Sequence, residues 1–312
     1  MFITVAICTF NRAESLRRTL DSLIAMQIPD GCRWEVVVVN NNSRDHTDEV
    51  VNRFRELLPI RLRFEPRPGL SNARNRAMDT ARGEYILWTD DDVIVDADWL
   101  AAYMSSFRRW PEAAVFGGRI TPIYEEPVAK WVKQSEALLK GPYGVRDFGN
   151  NILPLSVAEE RLPFGANFAI RTSEQRAFRY DPDLGVGPKR RRAGEEIDVV
   201  SRILQSGATG YWLPTARLWH FITKEMQTIR HIARCAAAEG ETDARQGVRR
   251  LRAPRRVWPL KRWLRYRYHR LMSPPPIWVR SLQDYAYAKG AFRFYLQQKT
   301  NMTSKSWILG GG

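Results

Sequence analysis

The sequence predicts an α/β protein with a mostly parallel, doubly wound sheet, helices on both faces and a basic helical C-terminal segment. Three observations carry that prediction. Over residues 1 to about 120, short β-rich runs alternate with helical stripes, the pattern of repeated βα units. The run Glu35 to Val39 is β-branched and nearly continuous, as expected of a strand buried on both faces. Polar clusters stand where the strands end, at the rim on which such sheets bind ligands.

Taken in order, Ile3 to Cys8 reads as a strand, and Leu16, Leu20 and Leu23 mark one face of the following helix. After the Glu35 to Val39 strand, Asn41, Asn42, Ser43 and Asp45 supply turn and cap chemistry. Val50, Val51, Phe54, Leu57 and Leu58 form the next stripe, and Arg61 to Phe64 a short strand. Pro66, Pro68 and Gly69 break the pattern. Ser71 is placed to cap a helix carrying Ala73, Ala77, Met78 and Ala81, ended by Gly83. Tyr85 to Thr89 is a strand, Trp99 to Phe107 a helix and Ala114 to Phe116 a strand. Residues 121 to 165 are irregular. Phe164 to Ile170 reads as a strand, Gly194 opens a helix with Ile197, Val200 and Leu204 on one face, and Thr209 to Trp212 is a further strand.

Asp90-Asp91-Asp92 ends one of the apolar strands. Three adjacent carboxylates repel one another and lose hydration there. A hard divalent cation such as Mg²⁺ or Mn²⁺ removes both penalties and keeps positions open for phosphate oxygens. The ordinary alternative is an acidic turn that caps the helix near Trp99.

Composition narrows the classes. Cys8, Cys32 and Cys235 are few and widely spaced, which excludes a disulfide framework and fits a reducing compartment. No run of about 18 apolar residues exists, so no transmembrane helix is expected, and the N-terminus has no signal-peptide pattern. The net charge is +15. Between Asp243 and Asp284 there are twelve Lys and Arg and no acid, so most of the excess lies in one segment. Such a patch seeks phosphate.

Six motifs then occur in a familiar order. Val5-Ala6-Ile7-Cys8-Thr9-Phe10-Asn11-Arg12 resembles the first strand of family 2 glycosyltransferases with the GT-A fold. Val38-Val39-Asn40-Asn41-Asn42-Ser43 with Thr47 is similar to their second-strand signature, with Asn40 where Asp is common. Gly69-Leu70-Ser71-Asn72-Ala73-Arg74-Asn75 resembles their G-x-x-x-A-R-N segment, and Asp90-Asp91-Asp92 their D-x-D motif. Gly165-Ala166-Asn167 and Gly194-Glu195-Glu196-Ile197-Asp198 resemble the later acceptor-side segments. The resemblance covers residues 2 to about 240 and implies a glycosyltransferase domain over 1–240. Its nucleotide-binding half would be 1–120 and its acceptor half 121–240, with the basic aromatic segment at 241–312.

What the resemblance implies is specific. The enzyme would move a sugar, with inversion, from a nucleoside-diphosphate sugar to a saccharide or lipid-linked acceptor, using Mn²⁺ or Mg²⁺, in polysaccharide or glycolipid synthesis. Thr9, Asn11 and Arg12 would line the nucleotide pocket. Asn40 would face base or ribose, Arg74 the diphosphate or base, and Asp90 the ribose. Asp91 would organise the loop. Asp92 would bind the metal, and His220 would complete its site. Glu196 would be the general base, with Glu195 and Asp198 in reserve.

The tail has its own pattern. Pro259 can start a helix with Leu260, Trp263, Leu264, Tyr268 and Leu271 near one face and Lys261, Arg262 and Arg265 on the other. The helix either lies on an anionic membrane or packs on the body with its tryptophans buried. A cytoplasmic protein, peripheral on the inner face of the plasma membrane in the first case, is expected. Lys189-Arg190-Arg191-Arg192 would steer a phosphorylated acceptor or be a charged loop. A nucleic-acid-binding protein explains the charge but not the acidic motifs, so no specific nucleic-acid partner is expected. A nucleotidyltransferase is the other competing reading, and it leaves Gly194 to Asp198 and His220 harder to place.

Overall fold

The computed structural model describes residues 1–187, 194–245 and 258–308, with side chains to residue 297. The Lys189 to Arg192 run, part of the basic segment and the last glycines lie outside the described residues.

The strands are β1 (Phe2–Thr9), β2 (Arg33–Asn40), β3 (Ile60–Phe64), β4 (Tyr85–Asp90), β5 (Val93–Val95), β6 (Val115–Tyr124), β7 (Leu153–Pro154), β8 (Phe168–Arg171) and β9 (Gly210–Ile222). The helices are α1 (Ala13–Ile24), α2 (Thr47–Arg53), α3 (Leu70–Thr80), α4 (Trp99–Arg109), α5 (Lys130–Gln134), α6 (Glu136–Leu139), α7 (Thr172–Ala177), α8 (Glu195–Gln205), α9 (Ile229–Arg245), α10 (Trp258–Met272) and α11 (Pro275–Ile308).

One sheet runs β3-β2-β1-β4-β8-β6-β9-β5, with β7 on β9. The first four strands are parallel, as the βα repeats require. β8 enters antiparallel between β4 and β6, and β6 pairs with β9 in parallel. Alternate residues feed two cores. Ile3, Val5, Val36, Val38 and Leu87 pack with Leu16 and Leu20 of α1 and with Trp99, Tyr103 and Phe107 of α4. Ala6, Val37, Val39, Ile86 and Trp88 pack with Ala73, Ala77 and Met78 of α3 and with Val199, Val200 and Ile203 of α8.

Several local expectations change. α3 begins at Leu70 after Gly69, and Ser71 donates to the Leu184 carbonyl instead of capping. α3 ends at Thr80, and Gly83 serves a close approach, because a Cβ there would run into the Thr4 backbone. α8 buries Val199, Val200 and Ile203 fully, and the expected Ile197 and Leu204 pack partly buried against the same core. β9 is one long strand that runs on through His220, where only Thr209 to Trp212 is expected from sequence.

The described chain divides into two compact units: residues 1–124, 143–187 and 194–222, and residues 125–142, 223–245 and 258–308. The expected boundary at 240 is therefore corrected, since it falls inside α9. Packing within the second unit explains this: α9 lies against α11 so closely that a Cβ on Gly240 or Gly290 would meet the Tyr287 or Ala237 carbonyl.

Candidate active site

The first unit gathers two acidic groups at the carboxyl ends of β1, β2 and β4. Pairing of β5 with β9 sets one of them. Val93 sits opposite His220, and the Phe221 N–H donates to the Asp92 carbonyl at 2.8 Å. This register brings His220 Nε2 to 3.2 Å from Asp92 Oδ1. His220 Nδ1 lies 2.6 Å from the Tyr143 carbonyl. A carbonyl only accepts, so Nδ1 carries a proton and Nε2 faces Asp92.

Arg12 closes the group. Its Nη1 donates to Asp91 Oδ1 at 2.7 Å and to Asp92 Oδ2 at 2.8 Å. Thr9 Oγ1 donates to Asp91 Oδ2 at 2.7 Å, so Thr9 and Asp91 shape the loop together. Burial would raise Asp92, but His220 and then Arg12 hold its carboxyl well below the usual range. Burial lowers His220, yet the Asp92 carboxylate outweighs it and pushes the imidazole up to about 9. Burial also lifts Asp91 to about 6 against the pull of Arg12.

These residues fit a hard divalent cation. Asp92 Oδ1 is buried and receives no aligned hydrogen bond, although His220 is near enough for an ion pair. The carboxylate oxygen suits Mn²⁺ or Mg²⁺, and the imidazole, oriented from its far nitrogen, could join it on the cation once Nε2 gives up its proton. Among the described residues no three His, Cys, Asp or Glu side chains form a metal-holding set. The protein would therefore supply two ligands and leave the rest to oxygens of a bound molecule.

Arg74 organises the second group. The resemblance directs it to the diphosphate or base, but its guanidinium is buried among Trp88, Phe168 and Tyr180, 6.0, 5.8 and 5.5 Å from their ring centroids. Its nitrogens lie 3.1 Å from Glu195 Oε1, 3.9 Å from Glu196 Oε2 and 3.7 Å from Asp90 Oδ1. One cation thus links the acid that ends β4 to the two that open α8. A Cβ at Gly165 would stand 2.6 Å from Arg74 Nη2 and would force the guanidinium to shift. The Gly165 N–H donates to Glu196 Oε1 at 3.3 Å.

Four other residues of these motifs are engaged within the protein. Asp198 pairs with Arg202 one turn along α8, at 2.8 Å. Asn40 uses both ends of its amide within its own loop: Nδ2 donates to Asp48 at 2.6 Å, and Oδ1 accepts from the Ser43 N–H at 2.8 Å. Asn11, at a φ of 53°, ties the first loop to the second, donating its N–H to Ser43 Oγ and accepting from the Arg44 N–H. Asn167, in the Gly165-Ala166-Asn167 segment, is saturated by Trp99, Tyr103 and the carbonyls of Arg119 and Ala216, so it braces the sheet. Sequence reasoning misses the Tyr143 carbonyl, because a backbone oxygen leaves no residue signature.

Glu195 gives a pH expectation. Burial, with the Glu196 carboxylate beside it, pushes its carboxyl up to about 8 from an ordinary 4.5, while Arg74 opposes the rise. Between those values the native chain holds a proton that the unfolded chain has released. Glu195 therefore costs stability progressively as pH rises from about 4.5 through about 8. Glu195→Gln should gain in thermal midpoint over wild type between about pH 5 and about pH 9, followed by differential scanning fluorimetry. A constant offset across that range would refute the assignment.

Comparison with known proteins agrees with this architecture. The sequence model described as glycosyl transferase family 2 matches residues 4–173, more than half of the chain. The succinoglycan biosynthesis protein ExoM of Rhizobium meliloti (strain 1021) is 24% identical over 260 residues, covering 83% of this chain and 79% of that one. A poly-beta-1,6-N-acetyl-D-glucosamine synthase of Staphylococcus epidermidis is 25% identical over 149 residues, 44% of this chain and only 35% of that longer protein. Among solved structures, the mannosyltransferase PcManGT of Pyrobaculum calidifontis, in complex with GDP-Man and Mn2+, superposes with a TM-score of 0.57 at 18% identity, covering 99% of this chain and 81% of that one. S. aureus TarS 1-349 in complex with UDP-GlcNAc gives 0.55 at 16% identity, covering 96% and 92%. At such identities the structural likeness establishes the GT-A fold, and the family match over more than half of the chain establishes membership: this protein belongs to glycosyl transferase family 2.

Proposed function

We propose that the chain transfers a sugar, with inversion, from a nucleoside-diphosphate sugar to a hydroxyl of a saccharide or lipid-linked acceptor, in polysaccharide or glycolipid assembly, with Mn²⁺ or Mg²⁺ bound. The observation that carries this reading is the guanidinium of Arg74, which joins Asp90 on the donor side to Glu195 and Glu196 on the acceptor side. The relatives that assemble succinoglycan and poly-N-acetylglucosamine support a saccharide product.

In this reading Asp92 and His220 hold the cation. Once bound, it would offset negative charge on the leaving diphosphate. Asp90 meets the ribose. Arg12, freed from Asp91 and Asp92, turns to the phosphates, while Thr9 keeps Asp91 and its loop in place. Glu196 takes the proton from the acceptor hydroxyl as that oxygen attacks the anomeric carbon opposite the diphosphate. One base is enough, because the diphosphate leaves without a protonating acid. Asn11 and Asn40 hold the two loops that frame the nucleotide.

Calorimetry with UDP- and GDP-sugars, with and without Mn²⁺, tests the proposal. Losing an outer-shell partner of a metal ligand costs about 10–100-fold in affinity, so Asp92→Ala should weaken Mn²⁺-dependent nucleotide binding by about 100-fold or more. Equal binding by variant and wild type would remove Asp92 from the metal site. Release of pyrophosphate rather than nucleoside diphosphate in turnover would end the transferase reading.

A further inference from the structure

One helix of the second unit is turned inside out. α10 buries none of its residues, although it carries three leucines and two tyrosines along with its arginines. At about 100° per residue, Trp258, Arg262, Tyr266 and His269 project to one side. That side faces α11: Tyr266 stacks with Tyr285 at 6.4 Å, and Arg262 and Arg265 reach Asp284 at 3.9 and 3.4 Å. The helix is therefore docked by its polar and aromatic side. Leu260, Leu264 and Leu271 project the opposite way and are 53%, 55% and 79% exposed. Trp263 and Tyr268 flank this stripe and are exposed as well. Arg267 rises within it, its guanidinium carbon 5.6 Å from the Trp263 ring centroid.

A helix bathed only in water would place its leucines inward. A contiguous apolar stripe left outside calls for an apolar cover. Charge identifies the cover. α10 has five Lys and Arg and no acid. A second copy would set the same cations against them, and a symmetric contact through this face would repel. An anionic bilayer satisfies both features: leucines reach the acyl region, Trp263 and Tyr268 sit at the interface, and Arg and Lys stems extend to lipid phosphates. No described helix is long and apolar enough to cross a membrane, so the docked helix lies in the plane.

We propose that α10 is an in-plane anchor that seats the protein on an anionic membrane through Leu260, Leu264 and Leu271. The inference does not depend on the transfer reaction. Co-sedimentation of the full chain with vesicles tests it, comparing pure phosphatidylcholine with phosphatidylcholine containing phosphatidylglycerol. Wild type should pellet with the anionic vesicles and partition at least about tenfold less onto the neutral ones. Leu260→Ser/Leu264→Ser/Leu271→Ser should lose at least about tenfold on anionic vesicles and largely keep its thermal midpoint, because those side chains are more than half exposed. If the triple variant fails to fold, Leu271→Ser alone, at the most exposed position, should still weaken partitioning measurably. The proposal is overturned if wild type stays in the supernatant, or if the serine variants bind as well as wild type. It is also overturned if sedimentation velocity shows a dimer that the variants dissolve.

Discussion

Glu196→Gln is expected to lower turnover by about 10²–10⁴-fold while nucleotide-sugar binding remains. The sequence places three acids in the first turn of α8, and the structure separates them. Asp198 is held by Arg202. The Glu195 side chain is 6% exposed and lies closest to Arg74, and its raised carboxyl retains a proton into the neutral range. Glu196 is 14% exposed, 3.9 Å from Arg74, and accepts a single 3.3 Å bond from the Gly165 N–H. By its contacts it is the least committed of the three. Gln keeps the bond from Gly165 but has no basic oxygen. Single-turnover kinetics with calorimetry on the same variant separates chemistry from binding, and near-wild-type turnover would dismiss Glu196 as the base.

Arg74→Met is expected to destabilise the fold by about 3–5 kcal/mol, because it strips the shared counter-charge from buried acids. Met retains apolar contact with Trp88, Phe168 and Tyr180, so the loss reports charge rather than volume. Well above about pH 8, where Glu195 has given up the proton it holds near neutrality, adding Glu195→Gln to Arg74→Met should recover part of the stability, because the nearest acid then carries no charge. Urea denaturation of the single and double variants measures this. Equal stability of Arg74→Met and wild type would show that the acids do not need the guanidinium.

The recurring helical stripes were readable because each helix packs on a sheet with a simple period. Leu16, Leu20 and Leu23, and Trp99, Leu100, Tyr103, Met104 and Phe107, are buried as their spacing predicts. β5 is three residues long and follows directly on the Asp triplet, too short to carry a period. β9 contains Pro214 and alternates in polarity after it, so only its start, Thr209 to Trp212, reads as a strand. α11 opens with Pro275 and Pro276, which suit a helix start but read equally as the end of α10.

Alternating strand and helix signals, the Asp triplet and the other five motifs determined from sequence alone the fold class, the family resemblance and the set of acids and cations from which a site could be made. Only the tertiary structure decided how those groups are shared. His220 reaches Asp92 because β5 pairs with β9 in one register, Arg74 sits among Asp90, Glu195 and Glu196, and the leucines of α10 face outward. Each outcome depends on contacts between residues far apart in the chain, and their energies, from desolvation and charge pairing, exist only once the chain is packed.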